Sequence, residues 1–287
     1  MTGAIIMVDG HVHAWHRWPW PGASSPESQG RAEQLVKEMD QAGIARAVVI
    51  CARLNGNDDN NAYVAAEAEK YPGRLIPFAD IDSRWTPEHR MPGAGARLRV
   101  AVERFRVAGF THYLDEDEDA EWLADAVGTE LFATAAELGL IASIAAMSRH
   151  LTALLSVAER YASLPVLLHH MGGIRIGAQN AETGLFAVLA AARLPNIFLK
   201  ISGFAHTDPS GAFPYADQEW LAREFYSAFG PERLIWGSDF PVVTRAMSYP
   251  QALEVVQQHY RFLSEAERGL LFGGNLQRLF ADRKVLS

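Results

Sequence analysis

The chain has 287 residues, of which 49% are hydrophobic and 21% are charged, so it can bury a large core as an ordinary globular protein. Its formal net charge is −8, from 26 basic and 34 acidic residues, which argues against nucleic acid or an anionic membrane surface as a partner. A small anionic substrate is still compatible with this balance, because a few local cations can override the charge of the whole chain.

The single cysteine, Cys51, cannot form an intrachain disulfide, which is typical of a reducing compartment. The first nine residues contain no basic segment, and their apolar run is too short for a secretory signal. No stretch approaches the roughly 18 apolar residues that a membrane span needs. We therefore expect a cytoplasmic protein.

Short apolar runs alternate with longer amphipathic segments along the chain. Eight of these runs have the length and composition of buried β-strands: Ile5–Val8, Ala47–Cys51, Leu75–Ala79, Gly109–Tyr113, Leu140–Ala146, Pro165–Leu168, Ile197–Ile201 and Leu234–Trp236. The segments between and after them have a helical pattern: Arg31–Ala42, Asn60–Tyr71, Leu98–Ala108, Ala120–Leu138, Ser148–Ala162, Thr183–Leu194, Ala216–Phe229, Tyr249–Phe262 and Ser264–Phe280.

Strands that are apolar on both faces and separated by helices predict a parallel sheet. Eight such units predict a closed (β/α)8 barrel, with an open sheet of fewer strands as the alternative. No linker divides the sequence, so residues 1–287 are expected to form one barrel domain. The longest irregular piece, Trp15–Gly30, follows the first strand and is a candidate lid or rim loop.

Barrel enzymes carry their chemistry at the carboxyl ends of the strands, and the first strand leads into His11 and His13. Alternate residues of a strand face the same side, so both imidazoles should point into the barrel mouth as a metal-chelating pair. The sixth strand leads into His169 and His170. Adjacent residues face opposite ways, so only one of these two should join the site easily.

The eighth and seventh strands lead into charged residues. Asp239 follows the eighth strand, where a carboxylate can complete a metal site or act as a general base toward a bound water. Lys200 lies at the end of the seventh strand, where an unpaired buried charge would be costly. Lys200 therefore either binds a substrate oxyanion or carboxylate, or forms an ion pair with Asp239 or another acid.

Together these elements resemble the amidohydrolase-related family of metal-dependent barrel hydrolases. The resemblance extends from about residue 5 to about residue 280. It rests on the histidine pair of the first strand, the sixth-strand histidine with the glycines after it, and three further segments: Lys200-Ile-Ser-Gly, Gly237-Ser-Asp239-Phe-Pro and Gly274-Asn275-Leu-Gln-Arg-Leu-Phe280. The family includes hydrolases of small lactones and related decarboxylases.

The resemblance implies a role for each of these residues. His11 and His13 are similar to the metal pair of the first strand, and Asp239 is similar to the acid that takes a proton from the attacking water. His170 matches the family's histidine better than His169 does, because the family pattern at this place resembles Asp-His-x-Gly. Some lactonases of the family work without a metal, so His11, His13 and Asp239 could also hold a water by hydrogen bonds.

Three departures from the family bear on the chemistry. No lysine lies at the end of the fourth strand, so a carbamylated lysine bridging two metals is not expected. We therefore expect either one divalent metal ion, with zinc favoured, or none. The fifth strand, Leu140–Ala146, supplies no histidine where the decarboxylases have a ligand. The end of the fourth strand, which contains His112, lacks an arginine for an acidic aromatic substrate.

Four residues are further candidates for substrate contact, besides Lys200. Trp15 begins an aromatic cluster on the rim loop and could form a wall beside a planar or sugar-like ring. Arg53 follows the second strand, and His112 ends the fourth. Arg175 lies just beyond His170, where a guanidinium could bind a carboxylate.

The expected function is hydrolysis of a small lactone of the sugar-acid, muconate or pyrone type. Water activated at His11, His13 and His170 would attack the carbonyl, with Asp239 as the base. The alternatives are a metal-dependent, non-oxidative decarboxylase of a small aromatic or muconate acid, and a non-catalytic barrel used for binding. The expected partner is a small lactone or carboxylic acid, with a homo-oligomer possible.

Overall fold

A computed structural model describes residues 6–22, 25–179 and 181–281. Eight strands form one sheet in sequence order, and each pairs in parallel with the next: β1 (Val8–Val12), β2 (Arg46–Ile50), β3 (Leu75–Asp80), β4 (Gly109–Tyr113), β5 (Ile141–Ala145), β6 (Val166–Leu168), β7 (Ile197–Ile201) and β8 (Leu234–Trp236). The chain after β8 closes the sheet on β1, because Val12 forms a parallel bridge with Phe240. The predicted (β/α)8 barrel is confirmed.

The α-helices surround the sheet or follow β8: α1 (Ala32–Ala42), α2 (Asn60–Lys70), α3 (Ala94–Phe105), α4 (Ala126–Glu137), α5 (Leu151–Arg160), α6 (Ala181–Ala191), α7 (Phe204–Thr207), α8 (Glu219–Phe229), α9 (Tyr249–His259), α10 (Glu265–Gly269) and α11 (Asn275–Ala281). Within the described ranges, none of them is long and apolar enough to cross a membrane.

The strand boundaries after the first agree with the sequence-based ones to within one residue. The first strand is the exception. It was predicted over Ile5–Val8 but runs from Val8 to Val12, and Ile5 lies outside the described residues. The long helix predicted over Ala120–Leu138 is also divided, because the Asp125 side chain accepts from two backbone N–H groups and begins a new helix, α4.

Apolar side chains fill two layers on the two faces of the strands. The inner layer lies inside the barrel and consists of Val8, Val48, Ile50, Ile76, Phe78, Ala108, Ile141, Leu167, Phe198 and Ile235, joined by Leu276, Leu279 and Phe280 of α11. The outer layer lies between the sheet and the helices and contains the alternating partners of the same strands, such as Ala47 and Val49. This alternation shows which residues of each strand face the interior.

Candidate active site

A β-bulge in β1 determines the direction of the paired histidines. Val8 faces the barrel interior, and so does Gly10, where a Cβ atom would collide with inner-layer atoms. Strict alternation from these two residues would turn His11 and His13 away from the interior. The pairing with β2 instead shifts by one residue after Asp9, and this irregularity turns both imidazoles into the barrel mouth.

Asp9 anchors this bulge to the last strand. Its buried carboxylate accepts hydrogen bonds from the backbone N–H of His11 at 3.0 Å and of Ser238 at 2.9 Å, and from the Tyr249 hydroxyl at 2.9 Å. Burial raises the pKa of Asp9 to about 6, and these hydrogen bonds oppose the rise. Asp9 therefore joins β1 to the segment that carries the catalytic acid expected from the sequence.

Asp239 is the point on which the site converges. Its Oδ1 atom lies 3.6 Å from Nε2 of His11, 3.6 Å from Nε2 of His13 and 3.9 Å from Nε2 of His170. Its Oδ2 atom accepts a hydrogen bond from Nε2 of His206 at 3.0 Å. Burial alone would raise the pKa of Asp239, but the nearby His170 and His13 rings and the hydrogen bond from His206 outweigh burial and hold it below its usual range.

Hydrogen bonds on the far sides of the rings orient the imidazoles. Nδ1 of His13 lies 2.7 Å from the Ile50 carbonyl oxygen, which can only accept, so Nδ1 carries the proton and Nε2 presents a lone pair to the site. The His13 ring also stacks on Trp15 with centroids 4.9 Å apart. Nδ1 of His170 lies 3.0 Å from the Ser202 hydroxyl oxygen, and this hydrogen bond orients the His170 ring.

Both histidines after β6 lie in the site, which differs from the expectation that only one would. His170 has φ +45, so it has left the strand conformation and the alternation of side chains no longer applies. It turns toward Asp239, whereas the His169 ring packs edge-on against His11 with centroids 4.4 Å apart. Nε2 of His169 lies 2.7 Å from the Ser143 hydroxyl oxygen of β5.

Gly203, after β7, leaves the room that the His170 ring occupies. Its φ is +71, a conformation that favours glycine, and a Cβ atom here would lie 2.7 Å from Cγ of His170. Ser202 holds the same ring by its hydroxyl. The Ser-Gly pair at the end of β7 therefore positions one of the imidazoles that face Asp239.

The Lys200 side chain lies fully buried beneath the imidazoles. Its Nζ atom lies 3.1 Å from Nδ1 of His11 and donates to the Ser143 hydroxyl at 2.7 Å. Burial lowers the pKa of Lys200 well below its usual range, although Asp9 and Asp239 oppose this change. Neither sequence-based expectation for Lys200, substrate contact or an ion pair with Asp239 or another acid, describes this position, in which the lysine supports His11.

Burial also keeps three of the imidazoles, those of His11, His169 and His170, neutral. It lowers the pKa of His11 and His169 well below the usual range, helped by the nearby Lys200. It lowers the pKa of His170 to about 3, against the opposing effect of Asp239. Neutral imidazoles offer the lone pairs that bind metal ions or accept hydrogen bonds from water.

The residues present fit a divalent metal ion. Nε2 of His11 and Nδ1 of His169 are buried and have no hydrogen-bond partner among the described residues. Ligand atoms of His11, His13 and Asp239 lie within 4.8 Å of one another, and two overlapping sets add His169, His170 and His206. Imidazoles with a carboxylate are among the ligands that zinc takes in protein sites.

A cavity of about 270 Å³ opens above Asp239, slightly smaller than most ligand sites. Its floor is formed by His13, His169, His170, His206 and Asp239, its walls by Trp15, Trp20, Leu54, Trp85, Tyr113 and Val242, and its rim by Arg84, Glu116 and Arg175. Two of the residues predicted to contact substrate, Trp15 and Arg175, therefore line this cavity.

The other two candidates for substrate contact, His112 and Arg53, face elsewhere. His112 lies on the outer face of β4, where its ring stacks on that of His89 with centroids 5.5 Å apart. Arg53 lines a separate cleft, and its Nε atom donates to the Asp58 carbonyl at 2.9 Å. Neither residue lines the cavity above Asp239.

His206 and Tyr113 are among the cavity residues that the sequence did not single out. His206 belongs to α7, which follows β7, and no local pattern indicates that it would reach Asp239. Tyr113 is adjacent to His112 on β4 and faces the cavity. Its signal was available, because alternation from the inward-facing Gly109 selects position 113 and not 112.

An eight-stranded barrel with imidazoles from β1 and β6 and a carboxylate from β8 at its mouth is an amidohydrolase type of site. A family model described as Amidohydrolase matches residues 8–281. The chain therefore belongs to the amidohydrolase family and is a hydrolase of that superfamily.

Individual relatives are distant but cover most of the chain. An L-fucono-1,5-lactonase of Burkholderia ambifaria is 26% identical over 283 residues, with 93% of each chain covered. A 4-sulfomuconolactone hydrolase of Rhizobium radiobacter is 24% identical over 259 residues, which cover 81% of this chain and 75% of the relative. The crystal structure of an amidohydrolase from Burkholderia multivorans with bound zinc has a TM-score of 0.76 at 24% identity, covering 96% of this chain and 99% of that one.

Proposed function

We propose that this protein hydrolyses a small lactone. The observation that carries the proposal is the convergence of three imidazole Nε2 atoms on one carboxylate oxygen, at 3.6–3.9 Å, on the floor of an aromatic-walled cavity. The two relatives whose names describe lactone hydrolysis, which are similar to most of this chain, support the same reaction class.

We further propose that His11, His13, His170 and Asp239 hold one zinc ion. His11, His13 and Asp239 have ligand atoms within 4.8 Å of one another, and the Nδ1–H of His13 is anchored on a backbone carbonyl as in many zinc sites. When bound, such an ion supplies Lewis acidity that polarises a carbonyl and makes a water more acidic.

The residues of the chain account for the proton movements of hydrolysis. Asp239 accepts a proton from the attacking water as the water oxygen bonds to the lactone carbonyl carbon. The bond between that carbon and the ring oxygen then breaks, and the proton on Asp239 passes to the ring oxygen as it leaves. The product is a hydroxy acid, which releases one proton at neutral pH.

His206 orients the base in this scheme. Its Nε2 atom holds Oδ2 of Asp239 at 3.0 Å, so Oδ1 stays directed at the three other imidazoles. The hydrogen bond that Nε2 of His206 donates to Asp239 raises the pKa of His206, and burial opposes this rise. The raised pKa favours the charged, donating form of the ring. The Asp239 carboxylate that accepts the proton from the water is therefore held in one orientation.

Substrate contacts are proposed for residues that line the cavity. Trp15 and Arg175 keep the roles that the sequence suggested, and Lys200 is assigned to the support of His11. A fifth-strand metal ligand of the decarboxylase kind has no equivalent, since Ala145 of β5 lies at the cavity and Ser143 lies below it.

The test is release of acid from a panel of sugar-acid, muconate-type and pyrone lactones, followed with a pH indicator. The native protein should release acid from at least one lactone, and Asp239→Asn should lower kcat/KM by about 10³-fold. Metal content should be measured in both proteins, and chelation followed by zinc addition should remove and restore the activity. Full activity of Asp239→Asn would contradict this mechanism.

If the native protein releases acid from none of these lactones, lactone hydrolysis is rejected. Carbon dioxide release from a small aromatic or muconate acid would then establish the decarboxylase instead. Absence of both reactions, with binding of a small acid, would indicate a binding barrel.

A further inference from the structure

Helix α6 is apolar on the face that it turns to solvent as well as on the face that it buries. Its buried residues are Gly184, Val188 and Ala191. Phe186 is 63% exposed, which is the largest exposed fraction among the large hydrophobic residues of the described ranges. No charged residue lies between Glu182 and Arg193. A helix that is apolar all round is normally buried, so the solvent face of α6 is expected to lie against another surface.

Four residues form one stripe along this solvent face, which we call the outer stripe: Glu182, Phe186, Leu189 and Arg193. They are spaced by four, three and four residues, and this spacing brings them onto one side of a helix. The chain makes one further turn after α6, in which the backbone N–H of Arg193 bonds to the Ala190 carbonyl at 3.2 Å, so Arg193 stays in line with the stripe. The outer stripe therefore has an acid at one end, two apolar side chains in the middle and a base at the other end.

The outer stripe is complementary to an antiparallel copy of itself. Glu182 and Arg193 are placed symmetrically about the middle of the stripe, and Phe186 and Leu189 are symmetric about the same point. A two-fold axis beside that point, perpendicular to the helix, sets Glu182 of one copy against Arg193 of the other. The same axis sets Phe186 against Leu189, and each pair occurs twice. Contacts of this symmetric kind are the commonest way in which identical chains associate.

The two charged ends of the outer stripe have no ionic partner within one copy of the chain. Glu182 and Arg193 are both exposed, and neither forms an ion pair with another described residue. They cannot pair with each other, because they lie about 16 Å apart along the helix axis at a rise of about 1.5 Å per residue. An antiparallel copy brings each of them beside an opposite charge, so the arrangement of charge favours a second copy of this chain as the covering surface.

A comparison with α3 shows what distinguishes the outer face of α6. Val100 of α3 is 57% exposed, nearly as much as Phe186. Helix α3, however, has charged residues on both sides of Val100 in the sequence: Arg97, Arg99, Glu103 and Arg104. A single apolar residue among charges is an ordinary surface feature, whereas an uncharged helix face is not. The neighbouring α8 adds Trp220, which is 49% exposed, so apolar surface on this side of the barrel is not confined to one helix.

We propose that α6 forms the interface of a homodimer, in which the outer stripes of two copies pack antiparallel about a two-fold axis. Phe186 and Leu189 form the apolar centre of this interface. Glu182 of each copy pairs with Arg193 of the other at the two ends of the stripe. The proposal does not depend on the reaction at Asp239, because α6 lies on the outside of the barrel and its outer stripe does not line the cavity.

The experiment measures the dissociation constant of the dimer by sedimentation velocity of the full chain. The native protein should sediment as a dimer at about 10 μM. Phe186→Glu should raise the dissociation constant at least about 30-fold, because it sets two carboxylates in the apolar centre. Val100→Glu is the matched control, since it makes the same kind of change at a similarly exposed position of α3, and it should stay within about twofold of the native value. Circular dichroism should show that both variants are folded.

Charge reversal tests the antiparallel arrangement. Glu182→Arg and Arg193→Glu, each alone, should raise the dissociation constant about tenfold, because like charges then meet at both ends of the stripe. The double variant Glu182→Arg/Arg193→Glu restores opposite charges and should return to within about threefold of the native value. A native protein that is monomeric at about 100 μM would overturn the proposal and leave the outer stripe to a different protein. A dimer that Phe186→Glu leaves intact, or a double variant no tighter than the single ones, would also overturn it.

Discussion

His11 and His112 are both buried histidines of barrel strands, but they lie on opposite faces of the sheet. Both are fully buried residues of barrel strands, and both have an Nε2 atom with no hydrogen-bond partner among the described residues. His11 lies 3.6 Å from Asp239, whereas His112 lies on the outer face of β4 against His89. Burial and an unpaired nitrogen therefore do not define a ligand. The direction of the side chain does, and in β1 a bulge sets that direction.

The largest expected effect comes from replacing each of these two histidines. His11→Asn should lower kcat/KM for the lactone by about 10²–10³-fold and lower the zinc content, because the variant loses an imidazole nitrogen proposed as a metal ligand beside Asp239. His112→Asn should keep activity within about twofold, because its ring is turned away from the cavity. Equal losses in the two variants, in a steady-state assay with metal analysis, would mean that the inward and outward faces have been misassigned.

A smaller effect is expected from the glycine that makes room for His170. Gly203→Ala should lower kcat/KM by about 10–100-fold, because a Cβ atom there would lie 2.7 Å from the His170 ring. Gly139→Ala is the matched control, since Gly139 also has a positive φ, +65, but no atom within 4 Å of the added Cβ. Both variants should lose stability in urea because of the positive φ, Gly203→Ala more than Gly139→Ala because of the clash, and only Gly203→Ala should lose activity.

Lys200→Met tests the support beneath His11. The change removes the contacts of Nζ with His11 and Ser143, so the His11 ring loses its hold on one side. We expect kcat/KM to fall by about tenfold while the thermal midpoint stays close to that of the native protein, because a buried apolar side chain of similar volume replaces a buried amine. Lys37→Met, on the exposed face of α1, should change neither quantity.

The smallest expected effect is on stability and involves His112. Burial lowers its pKa to about 4 from 6.5, with the His89 ring adding to the effect. The unfolded chain therefore binds a proton below pH 6.5 that the folded chain does not bind until about pH 4, so the free energy of unfolding falls as the pH falls through this window. A shift of this size corresponds to about 3 kcal/mol.

His112→Asn should remove that contribution. Urea unfolding of the metal-free proteins at pH 6.5 and pH 4.5 should show a smaller loss of stability for the variant than for the native protein. His16→Asn, at a partly exposed histidine of the rim loop, should keep the native pH dependence. If His112→Asn lost as much stability over this range as the native protein, His112 would not be buried in its neutral form.

Several parts of the site could be read from local order along the chain. His11, His13 and Asp239 each follow a predicted strand, and this order was enough to predict that they lie together, because the carboxyl ends of parallel strands meet at one end of a barrel. The positions of His112, Arg53 and Lys200 could not be predicted in this way. Each lies near the end of a strand, and the sequence does not show which face of the sheet its side chain takes. Tyr113 could have been selected over its neighbour by alternation, whereas His206 could not, since its helix reaches Asp239 only after the barrel has closed.

The sequence by itself determined the alternation of strands and helices, and through it the barrel and the end at which the chemistry lies, because hydrophobic periodicity is a local property of the chain. Only the tertiary structure decided the bulge in β1, the left-handed conformation of His170 and the ion pairs of Glu116 with two arginines at the cavity rim. These features depend on pairing with β2, on the space beside Gly203 and on the meeting of Arg84, Glu116 and Arg175 from separate loops. Contacts between residues far apart in the chain leave no periodic mark in the sequence.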